Sequence, residues 1–260
     1  MTTVIKLNGI TLPGGGYPKL SSFESISLSI TSGLLGLYSF EDTLSDSLRN
    51  YANADLPLTA TGAPTFTAGG VVCNIDNCFD TGIAQQSAFT FVAIAKPIKP
   101  ATNDAGAFLV SDFYSPASGY GGDGIGFRNG SLISGVPVLA TFGQNSASNY
   151  AASEVSVSAF DINNAAFFIG TGSVDTGLIS GAGTNGSLTM GNNTALAARG
   201  TTGGTLLIGG HRRASGTLFK GNTGPIYASA IYNRVLTSDE INTVYSELRQ
   251  YAANRDLTTV

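Results

Sequence analysis

The chain has 260 residues, of which 42% are hydrophobic and 12% charged, with 34 Gly, no Trp and a formal net charge of −4. Apolar residues spread along a chain of such low charge exclude disorder, and the Gly, Ser, Thr and Asn content fits strands and loops in one large all-β domain. With 13 Lys plus Arg and a pI near 4.9, no basic stripe is available to neutralise phosphates, which excludes nucleic acid as a partner.

The N-terminus, MTTVIKLNGITLPGGG, lacks the basic and apolar regions of a secretory signal. No apolar run approaches the roughly 18 residues that a membrane helix needs, so no membrane insertion is expected. The expectation is a chain made in the host cytoplasm without a signal peptide, released by another route such as an assembled particle. Residues 1–32 stand apart. TVIKLNGITLP and ESISLSI alternate as strands do, and PGGGYPKL breaks them. They read as an N-terminal arm or attachment segment that adds a strand to a neighbour, or as the first strands of the sheet.

From residue 33 a series of short strands follows: 34–40, 71–75, 88–98, 107–113, 125–129, 137–143, 154–160, 165–170, 205–210 and 225–234. EDTLSDSLRNYAN reads as a polar loop. Many short strands with Gly-rich turns predict a sandwich or barrel. Cys73 and Cys78 in VVCNIDNCFD lie too far apart for a Cys-x-x-Cys pair, and no second pair exists. A disulfide across a tight turn and two reduced strand cysteines are both compatible with this spacing. One helix closes the chain. Thr237 is placed to cap it, Glu240 to complete a capping box, and Ile241, Val244, Tyr245 and Leu248 form its buried stripe. The domain is thus read as 33–255, with 256–260 as a tail.

Two stretches carry a resemblance. LLGLYSFEDTLSDSLRNYANADLPLTATGAPTFTAGGVVCNIDNCFDTGI contains a strand ending at Phe40, Glu41 and Asp42, a loop with Asp46, Ser47 and Asn50, and an Asp80-Thr81-Gly82 turn. LLIGGHRRASGTLFKGNTGPIYASAIYNRVLTSDEI ends in Ile-Tyr-Asn-Arg before Leu-Thr-x-x-Glu-Ile. Over about residues 33–250 the chain resembles the laminin-G-like branch of the concanavalin A-like lectin/glucanase superfamily, as found in phage virion (tail and fibre) proteins. The resemblance implies a two-sheet antiparallel jelly-roll sandwich with adjacent first and last strands and a short C-terminal helix plugging one end. Some members hold calcium through acidic residues. Here Gly224-Pro225-Ile226-Tyr227-Ala228 has no carboxylate where many members carry Asp, which leaves Asp42, Asp46 and Asn50 as candidate metal ligands and otherwise no cofactor.

Chemistry is harder to find. No Glu-x-Asp-x-Glu is present, and Glu41 and Asp42 as strand neighbours would face opposite ways. His211, the single histidine, reads as a surface loop residue, and no Gly-x-Ser-x-Gly elbow accompanies it. GYGGDGIG lacks the Lys-Ser/Thr of a phosphate loop, so its glycines serve turns. No enzymatic activity is expected.

Residues 111–130 form the binding candidate: Tyr114 and Tyr120 offer faces for a sugar, and Asp112, Asp123 and Arg128 offer polar groups. Asn149 and Tyr150 form a second candidate. The resulting expectation is a non-enzymatic, lectin-like adhesion module of a phage particle that binds host surface glycan. It would be a homo-oligomer, joined to other virion subunits through the arm. The alternative is a virion structural or decoration protein whose sandwich mediates subunit contacts, with a bacterial surface carbohydrate-binding protein third.

Overall fold

The computed structural model describes residues 25–98, 106–113, 122–129, 137–144, 150–156, 163–176, 178–184, 188–193, 204–212 and 219–257. In chain order the elements are β1 (Leu34–Ser39), α1 (Leu44–Ser47), β2 (Thr59–Thr61), β3 (Thr65–Thr67), β4 (Gly70–Val72), β5 (Cys78–Ala84), β6 (Ala88–Ala95), β7 (Ala107–Ser111) and β8 (Gly124–Asn129). β9 (Pro137–Gln144), β10 (Tyr150–Ser156), β11 (Ala166–Ser173), β12 (Leu178–Thr184), β13 (Leu188–Asn193), β14 (Thr205–Ile208), β15 (Ile226–Tyr232) and α2 (Ser238–Asn254) follow.

The strands form two antiparallel sheets, as the jelly-roll reading requires. Among the described residues the larger has eight strands in the order β13-β12-β11-β6-β15-β4-β3, with β1 also on β15; the smaller has seven, in the order β10-β9-β8-β7-β14-β5-β2. First and last strands are neighbours: β1 pairs with β15 from Leu34↔Tyr232 to Ser39↔Ala228. The polar loop after β1 holds the one-turn α1, started by Thr43, whose side chain accepts from the N–H of Asp46. Asp80-Thr81-Gly82 is no turn. It lies inside β5, where Gly82 at φ 68° bends the strand.

One core lies between the sheets. Phe127 on β8 meets Phe168 on β11 edge-on, with ring centroids 4.9 Å apart, and Phe79, Phe91, Leu109 and Ile125 surround them. Gly170 on β11 permits the close approach, because a Cβ there would come within 2.2 Å of Ile125 Cγ2.

A second core lies on the outer face of the larger sheet. Val92 and Ile94 of β6, Phe167 and Ile169 of β11, and Tyr227, Ala230 and Tyr232 of β15 face Ile241, Val244, Leu248 and Tyr251 of α2. The helix therefore covers a sheet face instead of plugging an end, because β6, β11 and β15 carry apolar residues at both parities. A strand buried on both faces needs a third layer. Ile26 and Leu28, placed in the arm by the sequence reading, are buried in this same core. Around them Ser25, Ser27 and Ser29 are exposed. The Ser29 N–H donates to Glu247 at 3.0 Å. A groove of about 420 Å³ opens here between Ser25–Ser29 and Gln250 and Asn254 of the helix.

The helix start is fixed from several sides. Thr237 and Glu240 form the expected capping box. Arg234 grips Glu240 with two bonds of 2.7 Å and donates to the Ser32 carbonyl at 2.8 Å. Thr90 on β6 accepts the N–H of Leu236 and donates to the Arg234 carbonyl.

Two outcomes follow from this third layer. Leu248→Ala should lower unfolding free energy by about 2–5 kcal/mol, whereas Gln250→Ala should change it by about 0.5 kcal/mol or less, read by denaturant titration. The Arg234 guanidinium and the Thr237 N–H hold the Glu240 carboxyl down from 4.5 to about 2. A depressed carboxyl stabilises above its unfolded value and loses that contribution as pH falls through the folded one. Glu240→Gln should therefore melt below wild type at pH 7, and the two midpoints should converge between pH 4.5 and about 2.

Candidate functional site

The outer face of the smaller sheet is built differently. Phe79 of β5 points into the inter-sheet core, so Asp80 next to it points outward. The Asp80 carboxylate receives the Thr205 hydroxyl at 2.5 Å, the Gly82 N–H at 2.9 Å and an Arg212 Nη2–H at 2.7 Å. Arg212 also donates from Nε to the Thr205 carbonyl at 3.0 Å. Burial alone would raise the Asp80 carboxyl, but the bonds from Thr205, Gly82 and Arg212 outweigh it and hold it below its ordinary value. Both side chains keep about a third of their surface exposed, at 33% for Arg212 and 31% for Asp80.

Beside this pair lies an aromatic cover. Phe108 packs against Phe113 at 5.1 Å and Phe219 at 4.5 Å between centroids, and His211 meets Phe108 edge-on at 5.6 Å. His211 is no surface residue: it is 4% exposed, and its Nε2 is 3.1 Å from the Phe219 carbonyl. The rings around it, on the face away from the main core, are what bury it. The sequence reading assumed a solvated loop at that place.

The same region fixes the roots of the segment that carries Tyr114 and Tyr120. At the end of the β7–β8 hairpin the Asp112 N–H donates to the Asp123 carbonyl at 3.0 Å, and the Asp123 N–H donates to Asp112 Oδ1 at 2.5 Å. Both carboxyl groups are buried, and Gln85 donates to Asp123 Oδ2 at 2.9 Å. The Phe113 N–H donates to Ser111 Oγ at 2.7 Å, while its carbonyl accepts from the Arg212 N–H at 2.8 Å. Gly122 sits at φ 93°, and a Cβ there would come within 2.6 Å of the Asp112 carbonyl oxygen. Gly122, Gly124 and Gly126 thus keep the hairpin tight.

Of the expected site residues, Tyr114, Tyr120 and Asn149 lie outside the described residues. Asp123 is buried at the hairpin end, as a clamp and not as an exposed polar group. Tyr150 begins β10 opposite Gln144, and Gly124 faces Phe142 on the same β9. Register therefore brings Tyr150 to the sheet end where Asp123 lies. Arg128 faces Val138, about 13 Å further along β8 from Gly124, so it belongs to the opposite end. Gln85, Thr205 and the Asp80–Arg212 pair escaped the sequence reading. Nothing in their local patterns announces them, since β5, β14 and the turn after it meet only through sheet order.

The candidate metal ligands are each engaged in hydrogen bonds within the protein. Asn50 is 1% exposed. Its Oδ1 accepts the N–H groups of Leu37, Ala52 and Asn53 at 3.1, 3.0 and 3.2 Å, and its Nδ2 donates to the Leu35 carbonyl. Asp42 accepts the Gly69 N–H at 2.8 Å, and Asp46 accepts the Thr43 hydroxyl at 2.6 Å. Calcium takes about six to eight oxygens, and an amide oxygen already receiving three N–H groups is a poor one. The set does not fit that ion. Among the described residues no three His, Cys, Asp or Glu side chains group as metal ligands.

No protein-family model matches the chain, and no curated protein does. Solved structures do. A Trypanosoma rangeli sialidase in complex with a difluorinated KDN has a TM-score of 0.57 at 17% identity, covering 84% of this chain and 33% of that one. The botulinum neurotoxin serotype D/C VPI 5993 binding domain has a TM-score of 0.58 at 14% identity, covering 85% of this chain and 53% of that one. Botulinum neurotoxin type C, which depends upon interaction with two ganglioside molecules to enter cells, gives 0.57 at 13%, covering 84% and 52%. At these identities the likeness shows a shared fold. This chain spans a third to about half of the length of those proteins.

The clamp makes a local prediction. Gly122→Ala must relieve both a positive φ and a contact with backbone, so it should destabilise the fold by more than about 1 kcal/mol. Differential scanning calorimetry checks this, and an unchanged midpoint would show that the hairpin end is looser than its geometry.

Proposed function

We infer that this protein is a non-enzymatic, lectin-like adhesion module of a phage particle and that it binds host surface glycan. One observation carries the reading. The segment with Tyr114 and Tyr120 leaves the smaller sheet from a rigid root, formed by the backbone and side-chain hydrogen bonds between Asp112 and Asp123 and by Phe113 bound to Arg212. Binding residues borne on a loop above a fixed scaffold are a common arrangement for recognition. Tyrosine there offers a flat apolar face and a hydroxyl, the pair of features a sugar ring uses. Register adds Tyr150 to the same end.

The fold shared with a toxin that depends on ganglioside molecules is compatible with this reading, as analogy. For a non-catalytic role, His211 is buried with its Nε2 engaged at Phe219. The carboxylate of Asp80 is occupied by Thr205, Gly82 and Arg212. Neither stands ready as a general base. Among the described residues, no helix is long and apolar enough to cross a membrane. The N-terminal arm expected over residues 1–32 would join the module to other virion subunits, in a homo-oligomer.

Tyr114→Ala combined with Tyr120→Ala should reduce binding to a glycan array and to whole bacterial cells at least tenfold. The melting temperature should stay within about 1 °C, as this reading gives both tyrosines a recognition role. Retained binding removes the loop from the site. A folded wild-type sample that binds neither glycans nor cells would instead favour a virion structural or decoration protein.

A further inference from the structure

Cys73 and Cys78 flank the point where the chain crosses from the larger sheet to the smaller. Between them Asn74 and Asn77 form an isolated antiparallel bridge, each N–H donating to the other's carbonyl, at 2.9 and 3.1 Å. Asn74 Oδ1 accepts the N–H groups of Asp76 and Asn77 and an Nδ2–H of Asn77, each at 3.0 Å, which holds the turn closed. The next pair out in such a ladder is non-hydrogen-bonded, with both side chains on one face and Cα atoms about 4.5 Å apart.

Cys73 and Cys78 are the residues next out from the bridge, one on each side of it, where the chain passes from β4 to β5. The backbone of Cys73 turns away from Cys78: its N–H donates to Thr223 Oγ1 at 2.9 Å, and its carbonyl accepts the Thr223 N–H at 2.7 Å. Both cysteines are free thiols and 1% exposed, on the face opposite the two partly exposed asparagines. Both also lie over Gly209–Gly210. A Cβ at Gly209 would come within 2.6 Å of Cys73 Sγ, and one at Gly210 within 2.6 Å of Cys78 Sγ. Only glycines leave room there for two sulfurs.

We propose that Cys73 and Cys78 are a cross-link site, closing to an intramolecular disulfide that ties β4 to β5, and so one sheet to the other, when the protein folds in or reaches an oxidising solvent. The expected Cα separation of such a pair falls inside the range of about 4.4–6.8 Å that a disulfide spans. The chemistry is exchange with a small disulfide such as oxidised glutathione. One cysteine thiolate attacks the glutathione S–S bond, forming a mixed disulfide and expelling one glutathione thiolate. The second cysteine attacks the protein-bound sulfur and expels the other. Two cysteines are oxidised, one glutathione disulfide becomes two thiols, and the two protons end on the released glutathione.

Burial pushes both thiols up, Cys78 to about 11. Few thiolates therefore exist in the folded protein near neutral pH, and the bond forms during folding or local opening. Cys78 precedes Asp80 on β5, and Gly210 leads into His211 and Arg212, so the cross-link would stiffen the strand and turn that carry the Asp80–Arg212 pair. The inference rests on the hairpin and is independent of the glycan reading.

The test refolds the full chain from denaturant in a glutathione redox buffer at pH 8, where burial does not limit access, beside Cys78→Ser. The expected wild-type product runs as a single chain in non-reducing denaturing electrophoresis, is two hydrogens lighter by intact mass and unreactive to maleimide in denaturant, and yields a linked peptide containing both cysteines. Its melting midpoint should fall by about 5 °C on reduction, while the midpoint of Cys78→Ser stays put. Two reactive thiols per chain after refolding, or cross-links solely between chains, overturn the proposal.

Discussion

β15 is the strand on which the architecture depends. All of its residues are buried. It bonds β6 along one edge, and β1 and β4 along the other. One face fills the core between the sheets and the other lies under α2. Such a strand cannot be satisfied by a two-layer sandwich, because apolar surface on its outer face gains roughly 25 cal/mol for each Å² removed from water. The chain supplies the cover at once. It leaves β15 through Arg234, is pinned by Thr90, and enters α2 through the capping box. Ile26 and Leu28 complete the layer from the other end of the sequence.

This assignment of faces bears on where recognition takes place. The outer face of the larger sheet is occupied by α2 and by Ser25–Ser29. Among the described residues the smaller sheet carries a local cover, the rings of Phe108, Phe113 and Phe219 around His211, with the Asp80–Thr205–Arg212 network beside it. The clamp at Asp112 and Asp123 lies at the end of this sheet. Among the described residues the two outer faces therefore differ, one backed by α2 and the other carrying the Asp80–Thr205–Arg212 network and the Asp112–Asp123 clamp.

Some of this was legible in the sequence because it is local. The capping box at Thr237 and Glu240 depends on residues three apart, and the stripe of Ile241, Val244 and Leu248 on helical periodicity. Strands such as β1, β6, β9 and β15 showed apolar runs between turn residues. β12, interrupted by two glycines, and β13, which ends in Gly-Asn-Asn, did not, and the short, Thr-rich β2 and β3 offered too little pattern to register. Asp80-Thr81-Gly82 looked like a turn because a bend inside a strand uses the same residue types as a turn between strands.

The sequence by itself determined the all-β class, the pairing of the first strand with the last through the resemblance of their motifs, and the helix with its cap. Each rests on neighbours along the chain or on the order of motifs. Only the tertiary structure decided which face α2 covers, that His211 is buried, that Asn50 is spent on backbone N–H groups, and that Arg128 lies at the far end of β8 from Asp123. Each of these is set by sheet order and register, which join residues from distant strands. A strand's own pattern says which of its residues are apolar, but not which sheet, or which end of a sheet, will receive them.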